Sequence, residues 1–342
     1  MSAQQKRNLN KVQRIVVLYI SLFFAGYLIF GLVGCARYVP QAYVKTINTD
    51  IQKGELFAIF YGTSTLLISD GEKTILIDGF FSRQGFWESF FKRMKPDNDA
   101  IAIIRDKSID YLLVAHSHFD HARDSAQVAI LKKSKLYGSA NTSALKKLVN
   151  PLPEPVTKPF LLPDSKFRVT LIESDHVQKS SFLEILEKAF LTVSGGSEFI
   201  DSGKTFSFHI KHGETRILIV PSANFPKEWA MDVPERHADI VFLSIGLLGE
   251  QKPGYITRLW KSTVVDTCAK LVIPIHWDDF RRPLDRKRMV KLPTTLDIVD
   301  DISAAMRKLN ELAKTPICNG QSVKILFPED QQPFGLDSTI FL

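Results

Sequence analysis

The stretch that most constrains this chain is His116-Ser117-His118-Phe119-Asp120-His121. Four metal-capable side chains fall within six residues, directly behind the apolar run Tyr111-Leu112-Leu113-Val114-Ala115. That run reads as a buried strand, so the cluster sits at a strand's end, where the chain turns toward a helix. His116 and His118 leave an extended segment on one side and can grip one ion, while Asp120 and His121 face a second position. Neutral imidazoles and a carboxylate suit a borderline cation such as Zn2+. The alternative is a histidine-rich loop with no ligand role, and four ligand types in so short a span argue against it.

The chain's 342 residues suffice for one large domain or two small ones, and an apolar fraction of 45% allows a sizeable core. Four of the seven net positive charges, Lys6, Arg7, Lys11 and Arg14, lie in the first fourteen residues, leaving +3 for the remainder. So small an excess is no footprint of nucleic-acid binding.

Behind that basic head, Ile15 to Val33 is nineteen residues without a charge, between a long signal-peptide core and a short membrane span. Leu32-Val33-Gly34-Cys35 closes it and resembles a bacterial lipobox, in which the peptide is cut before the cysteine and the sulfur is lipidated. A lipoprotein attached through Cys35, an uncleaved anchor helix and a cleaved signal all remain open. Each puts the rest of the chain outside the cytoplasm, membrane-attached in the first two cases, with a bacterial envelope the expected setting. The expected organisation is a signal or anchor over 1–34, a linker over 35–53 and one hydrolase-sized domain over 54–342. Cys268 and Cys318 read as structural and are able to pair in an oxidising compartment.

The periodicity predicts strands over Leu56–Tyr61, Thr65–Ser69, Thr74–Asp78, Lys135–Gly138, Arg168–Glu173, Thr205–Lys211, Arg216–Val220, Ile240–Ser244, Leu271–Ile275 and Val323–Phe327. It predicts helices over Ala122–Lys133, Ser143–Val149, Tyr255–Lys270 and Leu296–Lys314, and a proline-punctuated loop from Pro151 to Pro163. Strands that first pair as hairpins and then alternate with helices suggest two packed sheets with helices outside. His116, His176 and His276 recur at strand ends, where such a fold keeps its site.

His116-x-His118-x-Asp120-His121 resembles the signature of the metallo-β-lactamase superfamily, and the resemblance extends from about Gly54 to Phe327. It implies an α/β four-layer αββα sandwich with the site at one edge. By the same resemblance, His176 is the third ligand of a first metal with His116 and His118. Asp120, His121 and His276 serve a second metal, the last within Pro274-Ile275-His276-Trp277-Asp278. Asp78, in Ile77-Asp78-Gly79, braces the site, and Asp78 and Asp278 are candidates to hydrogen-bond ligand imidazoles. The Pro-x-His-x-Asp end looks most like the branch of ascorbate-6-phosphate lactonase and N-acyl-phosphatidylethanolamine phospholipase D. One departure stands out. Relatives carry a bridging Asp after the strand that here reads Arg216–Val220, whereas this chain has no carboxylate between Glu214 and Glu228. Ser222 or Asn224 is the candidate to fill that gap. Tyr61 stands where that branch often carries His.

The implied chemistry is hydrolysis by a metal-activated hydroxide on one or two Zn2+ ions, with His116 and His118 holding the first ion and Asp120 orienting the nucleophile. The expected substrate is a small molecule or lipid: a phosphodiester, phospholipid-like compound or lactone at a membrane surface. The aromatic, basic stretch Phe80–Arg93, the apolar set Phe182, Leu183, Ile185, Leu186 and Phe190, and the cations Arg281, Arg282, Arg286, Lys287 and Arg288 are candidates to meet such a substrate, against plain core packing or solvated charge. A metal-binding sensor that lost catalysis and a nuclease of the same superfamily are the competing readings. His209 is expected in a core or on a surface, His212 in a turn and His237 exposed, none as ligands. Nothing in the sequence fixes the oligomeric state.

Overall fold

The computed structural model describes residues 51–342 apart from 53, 86–87, 89–92, 139–148, 152–159, 227–234, 285–293, 295–299, 329–330 and 337–342. The chain divides into two units, Met1–Arg37 and Tyr38–Leu342, and every described residue belongs to the second. The anchor segment with Cys35, most of the aromatic stretch 86–92, most of the helix expected over Ser143–Val149 and the triplet Arg286-Lys287-Arg288 lie outside the described residues. Among the described residues, no helix is long and apolar enough to cross a membrane.

Among the described residues, fourteen strands form two seven-stranded sheets. In chain order, the first sheet uses β1 (Phe57–Phe60), β2 (Leu66–Ser69), β3 (Thr74–Ile77), β4 (Tyr111–Leu113), β5 (Lys135–Gly138) and β6 (Val149–Pro151). The second uses β7 (Phe160–Leu161), β8 (Arg168–Ser174), β9 (Thr205–His212), β10 (Thr215–Val220), β11 (Ile240–Ser244), β12 (Leu271–Ile275) and β13 (Lys324–Ile325). A last strand, β14 (Pro333–Gly335), returns to the edge of the first sheet beside β1. The helices described are α1 (Asn98–Ile101), α2 (Phe119–Ala122), α3 (Ser125–Lys132), α4 (Ser181–Ser194), α5 (Pro253–Trp260) and α6 (Ile302–Ala313). Each sheet is antiparallel on one side and parallel on the other. In the first, β3, β4, β5 and β6 run parallel, and in the second, β10, β11, β12 and β13 do.

Residue alternation dictates the layering. In β3, Ile75 and Ile77 enter the core between the sheets, while Leu76 points the other way with Leu67, Leu112 and Leu136. That outer face packs against Ile101, Val128, Ala129 and Leu191 of the helices. The second sheet meets the first through Val169, Leu171, Phe206, Phe208 and Ile210, and Ile256, Leu259, Ala305 and Leu309 of α5 and α6 belong to the same apolar body. Each fully buried aliphatic side chain contributes on the order of 1.5–3 kcal/mol. Strands apolar on both faces need cover on both, and the outcome is an αββα sandwich.

Several expectations shift. The helix predicted over Ala122–Lys133 is two, α2 and α3, broken where the Asp124 carboxylate accepts the amides of Phe81 at 2.7 Å and Ser82 at 2.6 Å. α5 stops at Trp260 and continues only as a π turn over Lys261–Val265. The proline-rich loop carries two short strands at its ends, β6 and β7, and the apolar set around Phe190 is the helix α4. Cys268 and Cys318 form a disulfide.

Candidate metal centre

Ligand-bearing loops follow strand ends from both sheets. Two residues after β4 comes Ala115, whose amide donates to Asp78 Oδ1 at 2.7 Å, and the next residue, His116, is fully buried. Both ring nitrogens of His116 lack a hydrogen-bond partner. An imidazole buried with neither nitrogen satisfied is costly unless something else meets it. His118 and His176 complete a triangle with it, the ring centroids lying 4.8 Å (116–118), 4.8 Å (116–176) and 4.5 Å (118–176) apart. One ring nitrogen from each of the three lies within 4.8 Å of the others. His176 Nδ1 donates to the Val177 carbonyl at 2.8 Å, which leaves Nε2 free for a cation.

A second group, Asp120, His121 and His276, meets the same 4.8 Å criterion. His276 Nε2 lies 3.1 Å from Asp120 Oδ2, and His121 Nε2 lies 3.7 Å from the same oxygen. His121 Nδ1 donates to Asp78 Oδ2 at 2.7 Å and lies 2.8 Å from the Ser64 hydroxyl, which itself donates to Asp78. The carboxylate thus fixes the tautomer that turns His121 Nε2 inward. The two groups abut, with the His116 and His121 centroids 3.8 Å apart.

Electrostatics match the ligand state. Burial first, and then the neighbouring imidazoles, push His116 well below its ordinary value. Burial and His176 do the same to His118, and burial and Lys179 bring His176 to about 3. The first group therefore holds three neutral imidazoles, the form that binds metal. Burial alone would raise the Asp120 carboxyl, but His121 and His276 outweigh it and hold Asp120 well below the usual carboxylate range. His276 moves the other way. Burial lowers it, and the Asp120 hydrogen bond and charge more than reverse that. Six residues from three parts of the chain, among them an orphaned buried imidazole, fit a divalent cation with their nitrogen and oxygen donors.

The Asp278 carboxylate accepts the Thr63 amide at 2.6 Å and the Arg83 guanidinium at 2.7 Å. Ser222 lies against the loop that carries His176. Its hydroxyl accepts the Val177 amide at 3.1 Å, and Asn224 Nδ2 donates to the Asp175 carbonyl at 3.1 Å, so both hold the His176 loop. His209 is buried against the His237 carbonyl, as expected of a core residue. His212, at the end of β9, bonds Asp70 at 2.9 Å, and the half-buried His237 reaches Asp239 at 3.2 Å, so neither is a bare loop residue. Tyr61 is buried against Phe81 in the outer core.

Sequence reasoning did not single out Thr63 or Ser64 for the site, nor Lys179 with its Glu187 partner at 2.5 Å, and it named Arg83 only within the stretch Phe80–Arg93. Lys179 lies three residues after His176, the one signal available. Around the mouth, the half-buried rings of Phe190 and Phe280 stand 6.3 Å and 5.8 Å from Phe119, and Phe280 stands 6.3 Å from His276. Arg281 and Arg282 are tied to Asp279.

No family model matches the sequence. No curated protein matches it either. Among solved structures the chain is similar to Igni18, a novel metallo hydrolase from the hyperthermophilic archaeon Ignicoccus hospitalis KIN4/I, at 13% identity and TM-score 0.47 over 82% of this chain and 99% of that one. It is similar to the metallo-beta-lactamase fold protein YhfI from Bacillus subtilis at 11% identity and TM-score 0.48, over 82% and 99%. It is also similar to isothiocyanate hydrolase from Delia radicum gut bacteria at 14% identity and TM-score 0.48, over 82% and 100%. By its own layer order the chain is an αββα sandwich, with two adjoining three-residue groups that could each hold a metal ion.

Proposed function

We propose that this protein is a metal-dependent hydrolase with one or two Zn2+ ions, held by His116, His118 and His176 and by Asp120, His121 and His276. The observation that carries the reading is the pair of three-residue groups, each within 4.8 Å, around the doubly unpartnered imidazole of His116. A bound divalent cation acidifies water and polarises the scissile oxygen. The chain's own part is orientation. Asp120 presents a carboxylate between the two groups, able to orient water and relay its proton, and Asp78 fixes His121. Glu187 holds the Lys179 ammonium beside the first group, where it faces charge developing on a substrate.

The substrate class we favour is an ester with an apolar group and an anionic or polar centre, which covers phosphodiesters, phospholipid-like compounds and lactones. Phe119, Phe190 and Phe280 supply an apolar wall beside the second group, and Lys179 a cation beside the first. Ile185 of α4, 68% exposed, adds an outward apolar residue that suits a lipid surface. We also place the protein outside the cytoplasm and attached to a membrane through its N-terminus. The lipobox-like Leu-Val-Gly-Cys35 supports this, and so does the Cys268–Cys318 disulfide, which belongs in an oxidising compartment.

The test is metal analysis of the purified protein followed by assays on bis(p-nitrophenyl) phosphate, a lactone and phospholipid vesicles. His116→Ala should remove metal from the first group and abolish turnover together. Turnover persisting in metal-free protein would end the hydrolase reading. Stoichiometric metal with no turnover on any of the three classes would favour the sensor, for which the missing carboxylate between Glu214 and Glu228 already argues.

A further inference from the structure

The second cage rests on a buried ion pair that plays no part in the chemistry above. Arg83 Nη1 and Asp278 Oδ2 meet at 2.7 Å, both side chains fully buried. The other Asp278 oxygen accepts the Thr63 amide at 2.6 Å, and the Thr63 carbonyl accepts the His276 amide, also at 2.6 Å. Arg83 Nη2 closes the ring by donating to the Tyr61 carbonyl at 3.2 Å and the Thr63 hydroxyl at 3.4 Å. Arg83 is itself held through its neighbours Phe81 and Ser82, whose amides Asp124 accepts.

Two residues of this ring are strained. Thr63 has φ 53° and His276 has φ 61°, in the left-handed region that a β-branched or bulky side chain rarely enters. Such conformations persist only where the surroundings over-determine them, and they gather at functional sites. Nor does a buried ion pair by itself argue for stability, since well-packed apolar residues often serve as well. What the pair does is fix geometry. His276 is the one ligand that the second sheet gives to the second cage. With no carboxylate between Glu214 and Glu228, that cage has three protein ligands, so its affinity depends on how narrowly His276 is aimed. Gly246 leaves the space the ring needs, because a Cβ there would stand 2.7 Å from His276 Nδ1.

We propose that Arg83 and Asp278 are positioning residues for the second cation: through Thr63 they hold His276 with Nε2 on Asp120, and so set occupancy of the second cage without affecting the first. The inference rests on the metal-hydrolase reading. It is tested by titrating the metal-stripped full chain with Zn2+ against a chromophoric chelator, alongside thermal melts of the stripped proteins. The proteins compared are wild type, Arg83→Lys, Asp278→Asn and the double variant Arg83→Met/Asp278→Asn. The double variant removes both charges at once and leaves neither buried alone.

The expected result is two ions in the wild type. In Asp278→Asn and the double variant, the first ion should bind within about threefold of wild type and the second about 10–100-fold more weakly. Arg83→Lys, which keeps the charge, should lose less than either. Two ions at unchanged affinity in folded variants overturn the positioning role and leave the hydrolase reading standing. Both affinities falling together overturn it in favour of a general structural role. A wild type that takes only one ion overturns it as well, while leaving the first cage and its chemistry intact.

Discussion

Asp78 ties together three parts of the site from a left-handed backbone position, φ 61°. Its amide donates to the Leu113 carbonyl at 2.8 Å, one oxygen takes the Ala115 amide, and the other takes His121 Nδ1. Asp78→Asn keeps the shape but offers only one acceptor oxygen for these two donors. It should weaken metal binding about 10–100-fold, read by zinc titration, and unchanged affinity would dismiss the role. The residue was legible in the sequence because an Asp-Gly behind a strand is a recognisable ending, and so were the six cage residues. Ser64 and Thr63 were not, because a hydroxyl in a turn carries no sequence mark of the imidazole it meets. Asp300 is the other residue-scale case. Its Oδ2 accepts the Leu247 amide at 2.6 Å, its Oδ1 has no partner, and burial pushes its carboxyl up to about 7. The unfolded chain releases this proton near pH 4 and the folded chain near 7, so stability falls as pH rises between those values and levels off above 7. Asp300→Asn keeps an acceptor for Leu247 and should flatten that slope. In denaturant melts of metal-free protein it should be more stable than wild type at pH 8, by on the order of 4 kcal/mol, and no different near pH 4. Equal stability at both pH values would contradict this.

Among the elements, the loop from β8 to α4 is the most dependent on its neighbours. His176 sits there on backbone held by Ser222 and Asn224, which follow β10. Ser222→Ala leaves the Val177 amide without its acceptor, at a cost of about 1–3 kcal/mol. It should weaken the first ion several-fold while leaving the second unchanged, as the same titration would reveal. Loss of the second ion instead would mean that Ser222 serves the other cage. Long strands were legible wherever apolar residues alternate or run together. β7 and β13, of two residues each, and β14, of three, were missed or misjudged in extent because so short a span shows no period. α4 was read as an apolar segment. Its start is a side-chain cap, Ser180 Oγ accepting the Leu183 amide at 3.3 Å, which hydrophobicity alone does not signal. The break between α2 and α3 was hidden because Asp124 spends its carboxylate on residues more than forty positions away.

For the molecule as a whole, the Cys268–Cys318 bond closes fifty residues of chain and ties the end of the helical run after α5 to the segment before β13. Replacing both cysteines with serine should lower the unfolding free energy by about 2–4 kcal/mol in guanidinium titrations while leaving metal content intact. Loss of metal in that variant would place the bond in the site's support. The sandwich architecture was legible because hairpins followed by alternating strands and helices leave few ways to bury both sheet faces. The seating of each cage was not, since it depends on which loops the two sheets bring together. His116, His118, Asp120 and His121 follow β4 in one sheet, whereas His176 follows β8 and His276 follows β12 in the other. A cation in either position is therefore a rivet through both plates of the protein. Stripping it with a chelator should let the seam gape at that single margin, with amide exchange quickening in the turns around 118, 177 and 278 while the strand interiors stay closed.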